Sequence, residues 1–163
     1  ARQWLGEGGY TIGLQWRGNP KGTIDRGRSV PLPVLAVLAE IPNVRLVALQ
    51  RGPGLAELAE LPGRPPIRVP PNDLDREGAF IDTAALITAL DVVVTCDTSI
   101  PHLTGALGQP GHVILKHVAE WRWGVATDKS PWYPSLKLYR QSSPGDWMSA
   151  MNPIADAIRR VAV

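Results

Sequence analysis

Two periods of hydrophobicity alternate along the chain. Tyr10–Trp16 (YTIGLQW) is rich in β-formers and predicts a first strand, and 44-VRLVALQ-50 predicts a second. A brief third, Ile67–Val69, lies among prolines; 91-DVVVTC-96, 112-HVIL-115 and Leu136–Arg140 complete the set. Between them, apolar residues recur at helical spacing. Val34, Leu35, Leu38 and Ile41 form one stripe, with Ser29 placed to cap its helix and Pro31 in the first turn. Gly54–Leu61 predicts a short helix. Asp82 or Thr83 would open another, carrying Leu86, Ile87 and Leu90. Ser99–Leu107 presents Ile100, Leu103 and Leu107 on one face and stops at Gly108. A closing helix behind Asp146 carries Met151, Ile154, Ala155, Ile158 and Val161.

The segment 91–96 is aliphatic at successive positions, as a strand covered by helices on both faces must be. Strands alternating with helices predict an α/β fold with a mostly parallel sheet. Residues 1–9 read as a linker and 10–163 as the domain. In such sheets ligands bind on the loops that leave the carboxyl ends of the strands. Two of these loops carry polar chemistry: 17-RGNPKGTIDRGRS-29, after the first strand, and 96-CDTS-99, after the central one.

Composition narrows the function classes. With 163 residues the chain is long enough for one domain with a core. The net charge of +2, with basic residues scattered among acids, supplies no nucleic-acid footprint. No apolar run approaches the roughly 20 residues that span a bilayer. The start, ARQWLGEGGY, has no signal-peptide core and no initiating Met, so a piece of a longer protein is expected. One cysteine, Cys96, fits a reducing compartment, and a cytoplasmic location is expected.

In 96-CDTSIPH-102, Thr98 or Ser99 can cap a helix with Pro101 in its first turn, and capping alone would explain the motif. The same geometry suits a phosphate, because the first amides of a helix lack partners within it and its dipole favours an anion there. His102 lies three residues after Ser99 and so shares the face of the helix mouth. Asp97 would repel a phosphate directly; it fits better as an organiser of a neighbouring donor or as a partner of a substrate hydroxyl. In the loop 17–29, glycines let a backbone approach a ligand, and Lys21, Arg26 and Arg28 can neutralise a diphosphate. An ordinary charged surface loop is the alternative. Trp121, Trp123, Trp132 and Tyr133 are either buried under their long loop or platforms for a sugar or base. His102, His112 and His117 with Cys96 have no zinc spacing, and neither G-x-G-x-x-G after a strand nor a P-loop is present.

Taken together, 12-IGLQWRGNPKGTIDRGRSVPL-32, 82-DTAALITALDVVVTCDTSIPHLTGALGQP-110 and 121-WRWGVATDKSPWYPSLKLYRQSSPGDW-147 resemble the C-terminal half of bacterial glycosyltransferases of the GT-B fold. The resemblance is strongest to the glycosyltransferase portion of tetratricopeptide-repeat proteins and extends to the heptosyltransferases of family 9. It implies an α/β, Rossmann-like three-layer domain, one half of a GT-B fold, that binds a nucleotide-diphosphate sugar without a cofactor or metal. By the same resemblance Lys21 would hold the donor diphosphate and stabilise the leaving group, with Gly18 and Asn19 shaping its loop and Arg28 adding charge. Thr98 and Ser99 would take a phosphate, Asp97 and His102 would line the cleft, with His102 a candidate catalytic residue beside Lys21, and Gln50 would meet the ribose or base. The implied partners are an N-terminal Rossmann-like half carrying the base for the acceptor hydroxyl, and tetratricopeptide repeats. A sugar-nucleotide epimerase half would use the same cradle. A degenerate interaction module is the third reading, kept open by Pro101 and Lys116-His117, where the family pattern differs.

Overall fold

A computed structural model describes residues 1–18, 27–63 and 65–163. Its centre is a sheet of strands β1 (Tyr10–Gln15), β2 (Val44–Ala48), β3 (Ile67–Arg68), β4 (Val92–Cys96), β5 (Gly111–Leu115) and β6 (Leu136–Arg140). Their spatial order is β3-β2-β1-β4-β5-β6, and every pairing is parallel. The sheet was expected to be mostly parallel; among the described strands it is wholly so. The order reverses direction between β1 and β4, whose residues pair from Ile12 with Val92 to Gln15 with Thr95.

The helices are α1 (Arg2–Leu5), α2 (Leu32–Ala36), α3 (Glu57–Glu60), α4 (Ile81–Ile87), α5 (Ser99–Ala106) and α6 (Trp147–Val161). Short 3-10 turns extend α2 through Glu40 and precede α3 from Gly52. Period-two alternation sorts the strand side chains into layers. Ile12, Leu14, Val92, Val94 and Cys96 face α2 and α6, where Leu35, Leu38, Met151, Ile154 and Ile158 close the larger core. Val47 and Val93 face the other way and pack with Leu86 and Ile87 of α4 and Ile100 of α5. All five residues of β4 are buried, as its aliphatic run requires. A third cluster joins β5 and β6 to Trp123.

Two capping expectations are corrected. Helix α2 starts behind Pro31 with no side-chain cap, and the Ser29 hydroxyl instead accepts the Gly18 N–H at 3.3 Å. Helix α4 starts after Phe80, in the left-handed region at φ 67°, and neither Asp82 nor Thr83 is its cap. The cap comes from Asp75, whose carboxylate accepts the N–H of Asp82 at 2.8 Å, the N–H of Thr83 at 3.0 Å and the Thr83 hydroxyl. Asp82 returns one bond, accepting the Asp75 N–H at 2.7 Å. Burial works to raise the Asp75 carboxyl, but the bonds from Thr83 and Asp82 outweigh it and hold it below its ordinary value. Two caps match expectation: Thr98 accepts the Ile100 N–H at 3.2 Å, and Asp146 accepts the Ser149 N–H at 3.2 Å. Ahead of the sheet, α1 buries Leu5, and the Arg45 guanidinium donates to the Leu5 carbonyl at 2.7 Å. Among the described residues no helix is long and apolar enough to cross a membrane.

Candidate functional site

The reversal between β1 and β4 splays the loops at their carboxyl ends and opens a cleft of about 640 Å³, within the range that holds a cofactor-sized ligand. Its walls come from the end of β1, the neck of the loop after it, the end of β2, the loop before α4, and the start of α5.

Most of the sequence-derived candidates meet here. Gly18, Arg28, Gln50, Asp97, Thr98, Ser99 and His102 all border the cleft. Asn19, Lys21 and Arg26 lie outside the described residues. The loop that carries them has a closed neck: the Val30 N–H donates to the Trp16 carbonyl at 2.8 Å, and Gly18 is tied to Ser29. These bonds bring the two ends of the loop together beside the cleft.

The α5 side supplies the helix mouth. Thr98 is half-buried and committed as an acceptor to Ile100, which leaves its hydroxyl proton for a second partner; Ser99 is exposed. Asp97 is 6% exposed and stands 4.0 Å from the Arg28 guanidinium. A carboxylate this buried needs such a counter-charge, and the pair links the loop after β1 to the loop after β4.

Gln50 is also buried, and its carboxamide is engaged by the protein. Its Oε1 accepts from the Arg17 N–H at 2.9 Å, the Trp16 N–H at 3.4 Å and Gln15 Nε2 at 3.1 Å, and its own Nε2 donates to the Arg51 carbonyl at 2.9 Å. It is a clamp between the ends of β1 and β2 that forms part of the cleft wall.

His102 projects from α5 between the cleft and the tryptophan-rich loop. Its ring stacks on Trp123 with centroids 5.0 Å apart and planes at 24°, and meets Tyr133 edge-on at 5.7 Å. Its Nδ1 lies 3.2 Å from the Tyr133 hydroxyl. Desolvation is the largest influence on its pKa and lowers it below the ordinary value; Arg122 works the same way, while Asp97 and Glu120 oppose it. The two readings of the aromatic loop therefore divide by residue: Trp123 is fully buried under His102, whereas Trp121 is 73% and Trp132 58% exposed.

Sequence reasoning missed several cleft residues, four of them arginines or aromatics. Arg17 reaches the cleft while paired with Glu57, and Arg51 does so while donating to the carbonyls of Pro71 at 3.1 Å and Asn72 at 2.9 Å. Arg122 lines the far end and pairs with Glu120 at 3.0 Å. Phe80, 43% exposed, also lines the cleft. No local motif announces these residues, since each enters through a tertiary bend of its loop. Positive charge prevails, with four arginines against two aspartates among the lining residues. Lys116 and His117 do not border the cleft; His117 turns onto Gln141, with its Nδ1 3.0 Å from the Gln141 carbonyl.

The strand order and the cleft at the switch point define a Rossmann-like domain of the kind that forms one half of a GT-B glycosyltransferase. The particular likeness is to family 9. The chain superimposes on E. coli heptosyltransferase WaaC with ADP-2-deoxy-2-fluoro heptose at a TM-score of 0.61, with 21% identity, covering 94% of this chain and 43% of that one. E. coli ADP-heptose lipopolysaccharide heptosyltransferase II matches at 0.60, with 16% identity over 91% of this chain and 47% of that one. A family 9 glycosyl transferase from Veillonella parvula matches at 0.66, with 12% identity over 97% and 47%. Among curated proteins the chain is similar to Protein FlbA of Caulobacter vibrioides, 29% identical over 156 residues, which are 94% of this chain and 26% of FlbA. The chain thus spans about a quarter of that relative and less than half of each solved structure. No protein-family model matches it.

Proposed function

We propose that this chain is the donor-binding half of a glycosyltransferase and holds a nucleotide-diphosphate sugar at the β1/β4 switch point. The observation that carries this reading is the meeting of the α5 helix start with a cleft where arginines outnumber acids, on a fold shared with family 9 enzymes. Glycosyl transfer leaves negative charge on the departing diphosphate. Donors fixed in place before the reaction lower that barrier without reorganising during it. Lys21 and Asn19, on the loop whose neck is closed beside the cleft, would hold the diphosphate with the Thr98 hydroxyl and Ser99. Asp97 would organise Arg28, and Gln50 would shape the wall. Phe80 offers a stacking face for the base, an interaction worth about 1–3 kcal/mol per base. The base for the acceptor hydroxyl would come from the other half of the protein, and tetratricopeptide repeats and a cytoplasmic setting belong to the same reading.

The test is titration of the chain with ADP, UDP, GDP and CMP, followed by NMR. ADP leads because WaaC was solved with an ADP sugar analogue. Shifts confined to residues 18–28, 50, 80 and 97–102 are expected, and no binding by any nucleotide at millimolar concentration would overturn the proposal. Lys21→Ala should weaken ADP more than adenosine; equal losses would remove Lys21 from the diphosphate.

A further inference from the structure

Two segments far apart in sequence converge on one imidazole. Tyr133 reaches His102 only because several local features cooperate. Ser130 Oγ accepts the N–H groups of Trp132 at 3.3 Å and Tyr133 at 3.2 Å, which holds the turn before the tyrosine. Gly105 lacks a side chain where the tyrosine lies against α5; a Cβ there would stand 2.3 Å from the tyrosine's Cγ. Trp123, fully buried, covers one face of the histidine. The imidazole is thereby fixed in orientation, with one nitrogen, Nδ1, facing a phenol at 3.2 Å.

We propose that Tyr133 is a positioning residue that holds His102 as a neutral imidazole with its proton on Nε2, so that the ring presents an N–H donor to a diphosphate in the cleft. The last clause rests on the proposed function; the tautomer does not. A phenol is a stronger donor than acceptor, because its oxygen lone pair is delocalised into the ring, whereas the unprotonated imidazole nitrogen is a good acceptor. The bond therefore runs from the Tyr133 hydroxyl to Nδ1. A nitrogen that accepts cannot carry the proton, so the proton resides on Nε2. Among the described residues no hydrogen bond to Nε2 competes with a ligand. The charged groups around the ring come from three sides: Asp97 from the loop after β4, Arg28 paired behind it, and Glu120 with Arg122 from the aromatic loop. Burial together with Arg122 favours the neutral ring over the influence of the two acids. The outcome is a donor that gives the site a directed hydrogen bond with no formal charge.

The direction of the bond has an observable sign. A hydrogen bond donated to the neutral form disfavours protonation, so deleting the hydroxyl must raise the histidine's pKa. If Nδ1–H donated to the tyrosine, deletion would lower it. Side-chain ¹⁵N spectra of the ligand-free chain, with the His102 signals assigned by their loss in His102→Gln, should show an unprotonated Nδ1 and a protonated Nε2 above the titration. In Tyr133→Phe, which keeps the ring that packs on Gly105, the His102 pKa should rise. A proton on Nδ1, or a pKa that falls or stays unchanged, overturns the proposal. With ADP as probe, Nε2 should shift in the wild type, and Tyr133→Phe should bind roughly 2- to 10-fold more weakly, the range of one hydrogen bond. The expected tautomer with no ADP binding would instead refute the donor-site reading and leave the positioning of His102 established.

Discussion

Gly105→Ala separates helix propensity from packing, because the two demand opposite signs. Gly105 lies in the last turn of α5. On an open helix, replacing glycine by alanine stabilises by up to about 1 kcal/mol. Here the new Cβ would lie 2.3 Å from Tyr133 Cγ and 2.6 Å from both Cβ and Cδ1. Carbon atoms rest at about 3.5–4.0 Å, so the tyrosine must retreat by roughly 1 Å. Overpacking of this kind costs about 1–3 kcal/mol. The retreat also stretches the 3.2 Å contact between Tyr133 and His102 out of hydrogen-bonding range, a further loss of about 0.5–1.5 kcal/mol. Set against the propensity gain, the net result is a destabilisation of about 0.5–4 kcal/mol. Urea denaturation would show it as a lower midpoint at constant slope. Tyr133→Gly removes all three opposing atoms, so in that background the same Gly105→Ala change should stabilise. A single Gly105→Ala variant more stable than wild type, or the same change in both backgrounds, would refute the reasoning.

Two further predictions concern stability. His112 is largely desolvated, its Nδ1 is buried with no hydrogen-bond partner among the described residues, and burial followed by the nearby Lys137 depresses its pKa from 6.5 to about 4. A histidine with a depressed folded pKa contributes stability that is fully present above the unfolded value and is lost as pH falls from 6.5 toward 4. At about 1.4 kcal/mol per pH unit that loss is about 3 kcal/mol. His112→Phe should therefore lose about 2–3 kcal/mol less stability than wild type between pH 7 and roughly pH 4.5, measured by denaturation at each pH; parallel losses would show that His112 does not titrate as described. Asp75→Ala should cost about 1–2 kcal/mol by removing the cap of α4, and should speed hydrogen exchange at the Asp82 and Thr83 amides. Unchanged exchange at those two amides would show that the cap lies elsewhere.

The caps and loops show where local pattern ceases to be informative. Thr98 and Asp146 were legible as caps because each bonds an amide two or three residues ahead, within the reach of a sequence motif. Asp75 was not, because it caps α4 across an intervening loop of several residues that closes in space. Ser29 looked like a cap and is used instead to fasten the neck of a loop. Arg51 and Phe80 were invisible as cleft residues for the same reason: Phe80 lies on the loop before α4, Arg51 follows β2 and bonds that loop's carbonyls, and no local pattern specifies which way the loop folds. Gln50 came forward only through the resemblance, as a residue to meet the ribose or base; the bonds from Trp16 and Arg17 that occupy its amide cross between two strands and have no local signal.

By itself the sequence determined the alternation of strands and helices, the burial of 92–96 on both faces, the helix start at Ser99 and the loops on which the polar chemistry stands. These follow from hydrophobic period and local capping, which act over a few residues. Only the tertiary structure decided that β4 pairs with β1, which places Gly18 and Arg28, at the two ends of the loop after β1, beside 97–99 at one switch point. Only it brought Tyr133 across from the aromatic loop to the imidazole of His102. Such pairings are set by how whole layers pack, through contacts between residues far apart along the chain, and no local spacing encodes them.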